Sequence, residues 1–235
     1  MSATYCRRLK ANSNSMAKKE EVCARIKEIG ILPAIRVPSA EDALFAAGEM
    51  LKWGIPVVEL TMTVPGAIGV IAKLARTSPE LIVGAGTVLD IETARACVDA
   101  GAAFVTSPGM DPKIVEFAVR HNVAAIPGAL TPTEVMMAHD AGADLIKIFP
   151  CSQVGGPGYI KALKAPFPHV PFIASGGVDQ VTASDFIRAG AVALGIRGKL
   201  IPPEAIERRD RNWIHELAGR FLAIVQRTRA EFGIS

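Results

Sequence analysis

The stretch Asp140-Ala141-Gly142-Ala143-Asp144-Leu145-Ile146-Lys147-Ile148-Phe149-Pro150, DAGADLIKIFP, passes from the end of a helical pattern through Ala-Gly-Ala into a short apolar run. Glycine adopts the left-handed conformation that stops a helix. The same punctuation recurs in DAGAAF (99–104) and RAGAVA (188–193), each time directly ahead of a strand pattern. Helices that stop on glycine and feed into strands signal parallel βα units.

Outward from this stretch the chain holds eight apolar, β-rich runs: ILPAIR (31–36), VVELT (57–61), LIVGAG (81–86), AFVTS (103–107), VAAIP (123–127), DLIKIF (144–149), VPFIAS (170–175) and AVALGI (191–196). Between them lie patterns with apolar residues three or four apart, such as AEDALFAAGEMLKW, GAIGVIAKLAR and IETARACVDA. Eight such units in about 200 residues predict a (β/α)8 TIM barrel, somewhat smaller than its typical size of about 250. A doubly wound open sheet is the alternative that the strand order leaves open. Residues 16–30, MAKKEEVCARIKEIG, predict an extra N-terminal helix closing the bottom of the barrel, and residues from roughly 204 to 230 a last amphipathic helix on its outside. Residues 16–235 are expected to form a single domain. Residues 1–15, MSATYCRRLKANSNS, are expected to be a disordered tail, or to precede a true start at Met16. Their basic, acid-free composition faintly resembles an organelle transit peptide, but they have no apolar core region and are not a secretory signal.

Composition narrows the class. Half of the 235 residues are apolar, with 21 Gly and 16 Pro, the profile of a folded protein with a large core. No run approaches the roughly 18 to 20 apolar residues of a membrane span, so a soluble protein with no membrane partner is expected. Cys6, Cys23, Cys97 and Cys151 show no C-x-x-C spacing, which argues against a zinc site or a disulfide framework and fits a reducing cytoplasm. The net charge of +3 is dispersed along the chain, so nucleic acid is not expected as a partner, whereas a small anion is compatible. His121, His139, His169 and His215 lack metal-ligand spacing and read as structural or surface residues, and neither metal nor cofactor is expected.

In a barrel, polar residues late in strands face the active end. Here these are Arg36, Glu59, Thr61, Thr87, Ser107, Lys147, Ser175 and, just past the last strand, Arg197. Lys147 interrupts a strand that otherwise wants apolar residues. An ordinary lysine, with a pKa of about 10.4, is nearly all ammonium at neutral pH and a poor nucleophile. Desolvation or a second cation such as Arg36 raises the neutral fraction, which suits attack on a ketone to form a Schiff base, with Glu59 as proton carrier. Two bland alternatives stand beside this one: a buried Lys147–Glu59 ion pair of purely structural value, and a lysine pointing outward under a helix. Two glycine-rich turns, SGGVD (175–179) and GIRGK (195–199), follow the last two strands, where phosphate-binding barrels offer backbone N–H groups to an anion. Arg197 adds positive charge there; Lys199 does so too, or is merely solvated. Lys161 and Lys164, in YIKALKAP, read as solvated helix residues or the edge of an anion site, and Cys151 as a small buried thiol.

VVELTMTVPGA, VGAGTVLD, FVTSPGMD, IPGALTPTE, LIKIFP, GGPGYIKALKAPFP and SGGV, in this order and at successive strand ends, resemble the 2-keto-3-deoxy-6-phosphogluconate / 4-hydroxy-2-oxoglutarate aldolase family. The resemblance implies a class I, metal-independent aldolase on a TIM barrel, as a homotrimer, cleaving a 2-keto-4-hydroxy acid to pyruvate and an aldehyde, either glyceraldehyde 3-phosphate or glyoxylate. It makes Lys147 the Schiff-base lysine and Glu59 the general acid/base. Thr87, Pro108 and Phe149 match residues around pyruvate, Gly176 and Gly177 the phosphate turn, with Ser175 leading into it. Family members hold pyruvate's carboxylate with an arginine after the first strand or after the acid/base strand; Thr63 fills the second position here, which leaves Arg36. Many relatives read G-V-G-S after the last strand, where this chain has Gly195-Ile196-Arg197-Gly198, so a serine hydroxyl gives way to glycine and a guanidinium stands one residue earlier. A related branch acting on 2-keto-3-deoxy-6-phosphogalactonate shares the G-P-x-Y-I-K-A-L-K segment. Rivals of another class are a sugar-phosphate epimerase or isomerase, which needs no strand lysine, and a non-catalytic barrel that binds keto acid or phosphate.

Overall fold

The computed structural model describes residues 19–234; the expected tail at residues 1–15 lies outside them. A helix over residues 19–29 (α1) leads into β1 (Ile31–Ile35), and strands and helices then alternate: α2 (Ala40–Lys52), β2 (Val57–Thr61), α3 (Ala67–Thr77), β3 (Ile82–Gly86), α4 (Ile91–Asp99), β4 (Phe104–Thr106), α5 (Pro112–Arg120), β5 (Ala124–Ile126), β6 (Gly128–Ala129), α6 (Pro132–Asp140), β7 (Ile146–Ile148), α7 (Pro157–Lys164), β8 (Phe172–Ser175), α8 (Ala183–Arg188) and β9 (Ala191–Ile196). Gly142, at φ 90°, separates α6 from β7, and Gly101 and Gly190 do the same ahead of β4 and β9. Side chains of Ser39, Asp90, Asp111 and Thr131 cap the helices that follow them.

All pairings are parallel, in the order β5-β4-β3-β2-β1-β9-β8-β7-β6. Only Pro127 separates β5 from β6, so the two are one strand that pairs with β4 by its first half and with β7 by its second. Proline supplies no N–H, but the Pro127 carbonyl still accepts from Lys147 N at 2.9 Å, and the strand passes from one neighbour to the other there. With that strand counted once, the nine segments close as the predicted eight-stranded TIM barrel; the open doubly wound sheet is excluded.

Followed around the barrel, the Cα partners drift by about one residue per strand, the shear of an eight-stranded barrel. Inward residues of alternate strands therefore stack in layers. Val57, Phe104, Leu145 and Ala193 form a deep layer, and Leu32, Gly84, Ile126 and Ile173 the next; the Phe104 ring occupies the space that a Cβ on Gly84 would need. These layers are buried and apolar. Above them come Glu59, Thr106, Lys147 and Gly195, then Ala34, Gly86, Gly128 and Ser175, then Thr61, Pro108, Phe149 and Arg197 at the carboxyl rim.

At the opposite end α1 buries Val22, Cys23, Ile26 and Ile29, and Lys19 pairs with Asp144 at 3.0 Å beside the start of β7. Arg229 donates to the Lys27, Glu28 and Val192 carbonyls and ties α1 down. The helix thus closes the bottom of the barrel, as its sequence predicts, although residues 16–18 of the expected segment lie outside the described ones. The last predicted helix is corrected: it is two helices, α9 (Pro203–Glu207) and α10 (Arg211–Phe232). Arg209 at φ 52° breaks the run, and the Asp210 carboxylate restarts it by accepting from Trp213 N. Among the described residues no helix is long and apolar enough to cross a membrane.

Candidate active site

The layer of Ala34, Gly86, Gly128 and Ser175 explains why a cavity exists: four small residues stand where a barrel normally packs bulky branched ones. Side chains cannot be added back. A Cβ on Gly86 would meet the Glu59 carboxylate, one on Gly128 the Pro108 carbonyl, and one on Gly195 would come to 2.8 Å from Ser175 Oγ. The omitted volume opens upward as a cavity of about 450 Å³, within the roughly 300 to 1,000 Å³ of small-molecule sites.

Lys147, from β7, and Glu59, from β2, make the floor of this cavity. Lys147 points inward, against the outward-facing alternative, and its Nζ stands 3.3 Å from both Glu59 oxygens. Their side chains are 10% and 3% exposed. Phe149, two residues on along the same face, sets its ring 5.6 Å from the ammonium and walls the cavity above it. Thr61, two residues above Glu59, donates to the Ile35 carbonyl at 3.0 Å and stands 2.8 Å from the Thr63 hydroxyl, which braces β2 against β1. Arg36 emerges past β1 and its Nη2 lies 3.4 Å from Thr87 Oγ1. Thr87 holds its hydroxyl there from a left-handed backbone, φ 59°.

The far side of the cavity is built by the two glycine-rich turns. Gly176 and Gly177 take φ 87° and 83°, and a Cβ on Gly177 would strike Ser152, so the turn packs its backbone flat against the segment after β7. Arg197 and Lys199 line the same end. So does Asp179, a residue that the sequence did not single out. Backbone N–H groups of Thr182 and Val181, with the Thr182 hydroxyl, hold its carboxyl below the usual range against some desolvation, and Lys199 adds a smaller pull. All ten residues expected at the site, Arg36, Glu59, Thr87, Pro108, Lys147, Phe149, Ser175, Gly176, Gly177 and Arg197, line this one cavity.

Other sequence candidates lie elsewhere. Ser107 turns away from the barrel interior and donates to Gly109 O at 2.6 Å; the inward polar residue of β4 is Thr106. Lys164 is half-buried: it donates to the Pro168 and Val170 carbonyls beside the Phe172 ring, and burial lowers its pKa. Cys151 is a buried thiol that donates to Gly176 O at 3.3 Å, and burial pushes its pKa up to about 11. None of the histidines lines the cavity: His121 lies against Phe117, His139 against His169, and His215 bonds Glu49. Among the described residues no three His, Cys, Asp or Glu side chains converge as a metal would require.

A parallel barrel with a buried amine and carboxylate at the base of a cavity, and cations around its mouth, is equipped for carbonyl chemistry on a small anionic substrate. The family model described as KDPG and KHG aldolase matches residues 22–217. The chain is 33% identical over 199 residues to the 2-dehydro-3-deoxy-phosphogluconate aldolase of Pseudomonas aeruginosa, covering 83% of this chain and 90% of that one. It is 34% identical over 189 residues to the KHG/KDPG aldolase of Escherichia coli, covering 80% and 88%. The structure of a KDPG aldolase from Legionella pneumophila, with pyruvate captured as a covalent carbinolamine, superposes with a TM-score of 0.78 at 29% identity, covering 86% of this chain and 97% of that one. The chain belongs to the KDPG and KHG aldolase family, and is a carbon–carbon lyase.

Proposed function

We propose that Lys147 attacks the C2 ketone of 2-keto-3-deoxy-6-phosphogluconate or 4-hydroxy-2-oxoglutarate. The observation that carries this is the lysine amine on the cavity floor, 3.3 Å from the Glu59 carboxylate, with cations at the mouth above. The amine adds to C2, Glu59 relays protons, and water departs with the former carbonyl oxygen, leaving a protonated imine. Glu59, or a water it holds, then takes the C4 hydroxyl proton. The C3–C4 bond breaks, its electron pair flows toward the iminium nitrogen, and the aldehyde leaves. Protonation of the enamine at C3 and hydrolysis return the lysine and release pyruvate. A positioned general acid/base contributes typically about 10²- to 10⁴-fold in rate.

Arg36, steadied by the Thr87 hydroxyl, is the proposed partner of the substrate's carboxylate, because a guanidinium fork binds carboxylate through two parallel hydrogen bonds. Pro108 and Phe149 wall the pyruvate portion, and Ser175, the Gly176–Gly177 turn and Arg197 take the distal anion. The enzyme is proposed to act as a homotrimer in the cytoplasm, with residues 16–235 as one domain. Incubation with pyruvate and borohydride should add mass irreversibly to the peptide carrying Lys147, and Lys147→Met should abolish the adduct. A folded, pyruvate-exposed parent without any adduct would remove Lys147 from the chemistry.

A further inference from the structure

The layer that holds Glu59 and Lys147 has a third side chain that the chemistry above leaves unused. Around the barrel the four members run Glu59, Thr106, Lys147, Gly195, so the lysine and glutamate reach across the axis to each other while Thr106 flanks them between β2 and β7. Thr106 is 0% exposed, and its hydroxyl has no hydrogen-bond partner among the described residues. A buried hydroxyl left unpaired costs stability that an isosteric apolar side chain avoids. Valine would fit the same shape, so the hydroxyl calls for a reason.

The reaction supplies one. In the resting site Lys147 Nζ is the hydrogen-bond donor to both Glu59 oxygens. An ammonium carries three N–H donors, whereas a protonated imine nitrogen keeps a single one and is drawn to the substrate. Once the lysine bonds to C2, the carboxylate loses donors at the moment it must stay placed for proton transfer. We infer that Thr106 is a positioning residue whose hydroxyl donates to the Glu59 carboxylate during the imine stages, holding it in place while Lys147 is engaged. Gly86 lies beside Thr106 in register and has no side chain to screen the two, and the Glu59 carboxylate lies over its Cα. Lys147 is the charged group facing Glu59 within the layer, while Arg36 and Arg197 stand nearer the rim.

This rests on the roles proposed above for Lys147 and Glu59, and the experiment separates the two. The parent, Thr106→Val and Thr106→Ser are each tested for pyruvate trapping at Lys147, for thermal stability, and for kcat and kcat/KM against pH. Thr106→Val should melt no lower than the parent and still trap pyruvate. Its kcat should fall about ten- to a hundredfold with KM little changed, the size of one hydrogen bond to a charged group. The loss should fall on kcat across the pH range, since the bond is made in the imine stages and not in the free enzyme. Thr106→Ser, which keeps the hydroxyl, should follow the parent. Parental kcat in Thr106→Val, or a serine variant as impaired as the valine one, overturns the role of Thr106 alone. A parent that fails to trap pyruvate removes the chemistry on which it rests.

Discussion

Gly86→Ala tests the placement of Glu59 while leaving both proposed reacting side chains, Glu59 and Lys147, in the sequence. Gly86 is the last residue of β3, in extended backbone that alanine adopts freely. A Cβ there would come to 2.6 Å from Glu59 Cδ and closer still to Oε1. Carbon atoms in contact sit about 3.5 to 4.0 Å apart, so the carboxyl must recede by about 1 Å. The Lys147–Glu59 separation of 3.3 Å then approaches the limit of an ion pair, about 4 Å. A misplacement of about 1 Å costs on the order of 10²-fold in rate, or about 2.7 kcal/mol of transition-state stabilisation. The added methyl also overpacks the layer at a cost of about 1 to 3 kcal/mol, so the melting temperature should fall by several degrees. Pyruvate release followed in steady state, beside thermal unfolding and borohydride trapping, reads each effect. We expect a folded variant that traps pyruvate at Lys147 yet turns over about a hundredfold more slowly. A folded Gly86→Ala with the parental kcat would show that proton transfer does not depend on Glu59 where β2 places it.

Arg197→Ala, run against phosphogluconate-derived, phosphogalactonate-derived, unphosphorylated and hydroxyoxoglutarate substrates, should raise KM selectively for those with a distal anion; an unchanged KM across the panel takes Arg197 out of the site. Glu134 closes a capping box at α6, where its carboxylate accepts from Leu130 N at 2.7 Å and Thr131 N at 2.8 Å. The Leu130 N–H, outweighing desolvation and joined by Thr131, holds its pKa below the usual value. Because the folded carboxyl is depressed, its contribution is present above the unfolded glutamate pKa, near 4.3, and is lost as pH falls through the folded value. Glu134→Gln should therefore lower the melting temperature at pH 7 by the equivalent of about 1 kcal/mol, and the gap should narrow as the pH falls below about 4.3 and close only below the folded value.

The barrel was legible because its signals are local. Gly142 stops α6 and Lys147 breaks an apolar strand, and both facts are visible within one stretch of eleven residues. Glu59 and Lys147, 88 positions apart, meet because each occupies an inward position two residues below the next polar or aromatic one, Thr61 and Phe149. What stayed hidden depended on register. Thr106 and Ser107 are adjacent polar residues at the end of β4, and only the inward phase set by Phe104 tells that Thr106 enters the barrel and Ser107 leaves it. Asp179 is not legible in the sequence because its carboxylate, which accepts from the Val181 and Thr182 N–H groups, looks like an ordinary turn residue until the fold brings Lys199 and the cavity to it. The break between α9 and α10 rests on one left-handed arginine within an amphipathic pattern that continues across it.

The helix under the barrel has a consequence for the order of events. With α1 and the layers around Phe104 and Ile126 filling the interior below Lys147, the cavity opens only at the carboxyl rim among the described residues. On the proposed Schiff-base route, cleavage of one bond leaves two products in a blind passage, the three-carbon piece tethered at its end and the aldehyde between it and the exit. The free product must clear the passage before the tethered one can follow. In the condensing direction the queue reverses, and the keto acid has to enter before the aldehyde that it will meet.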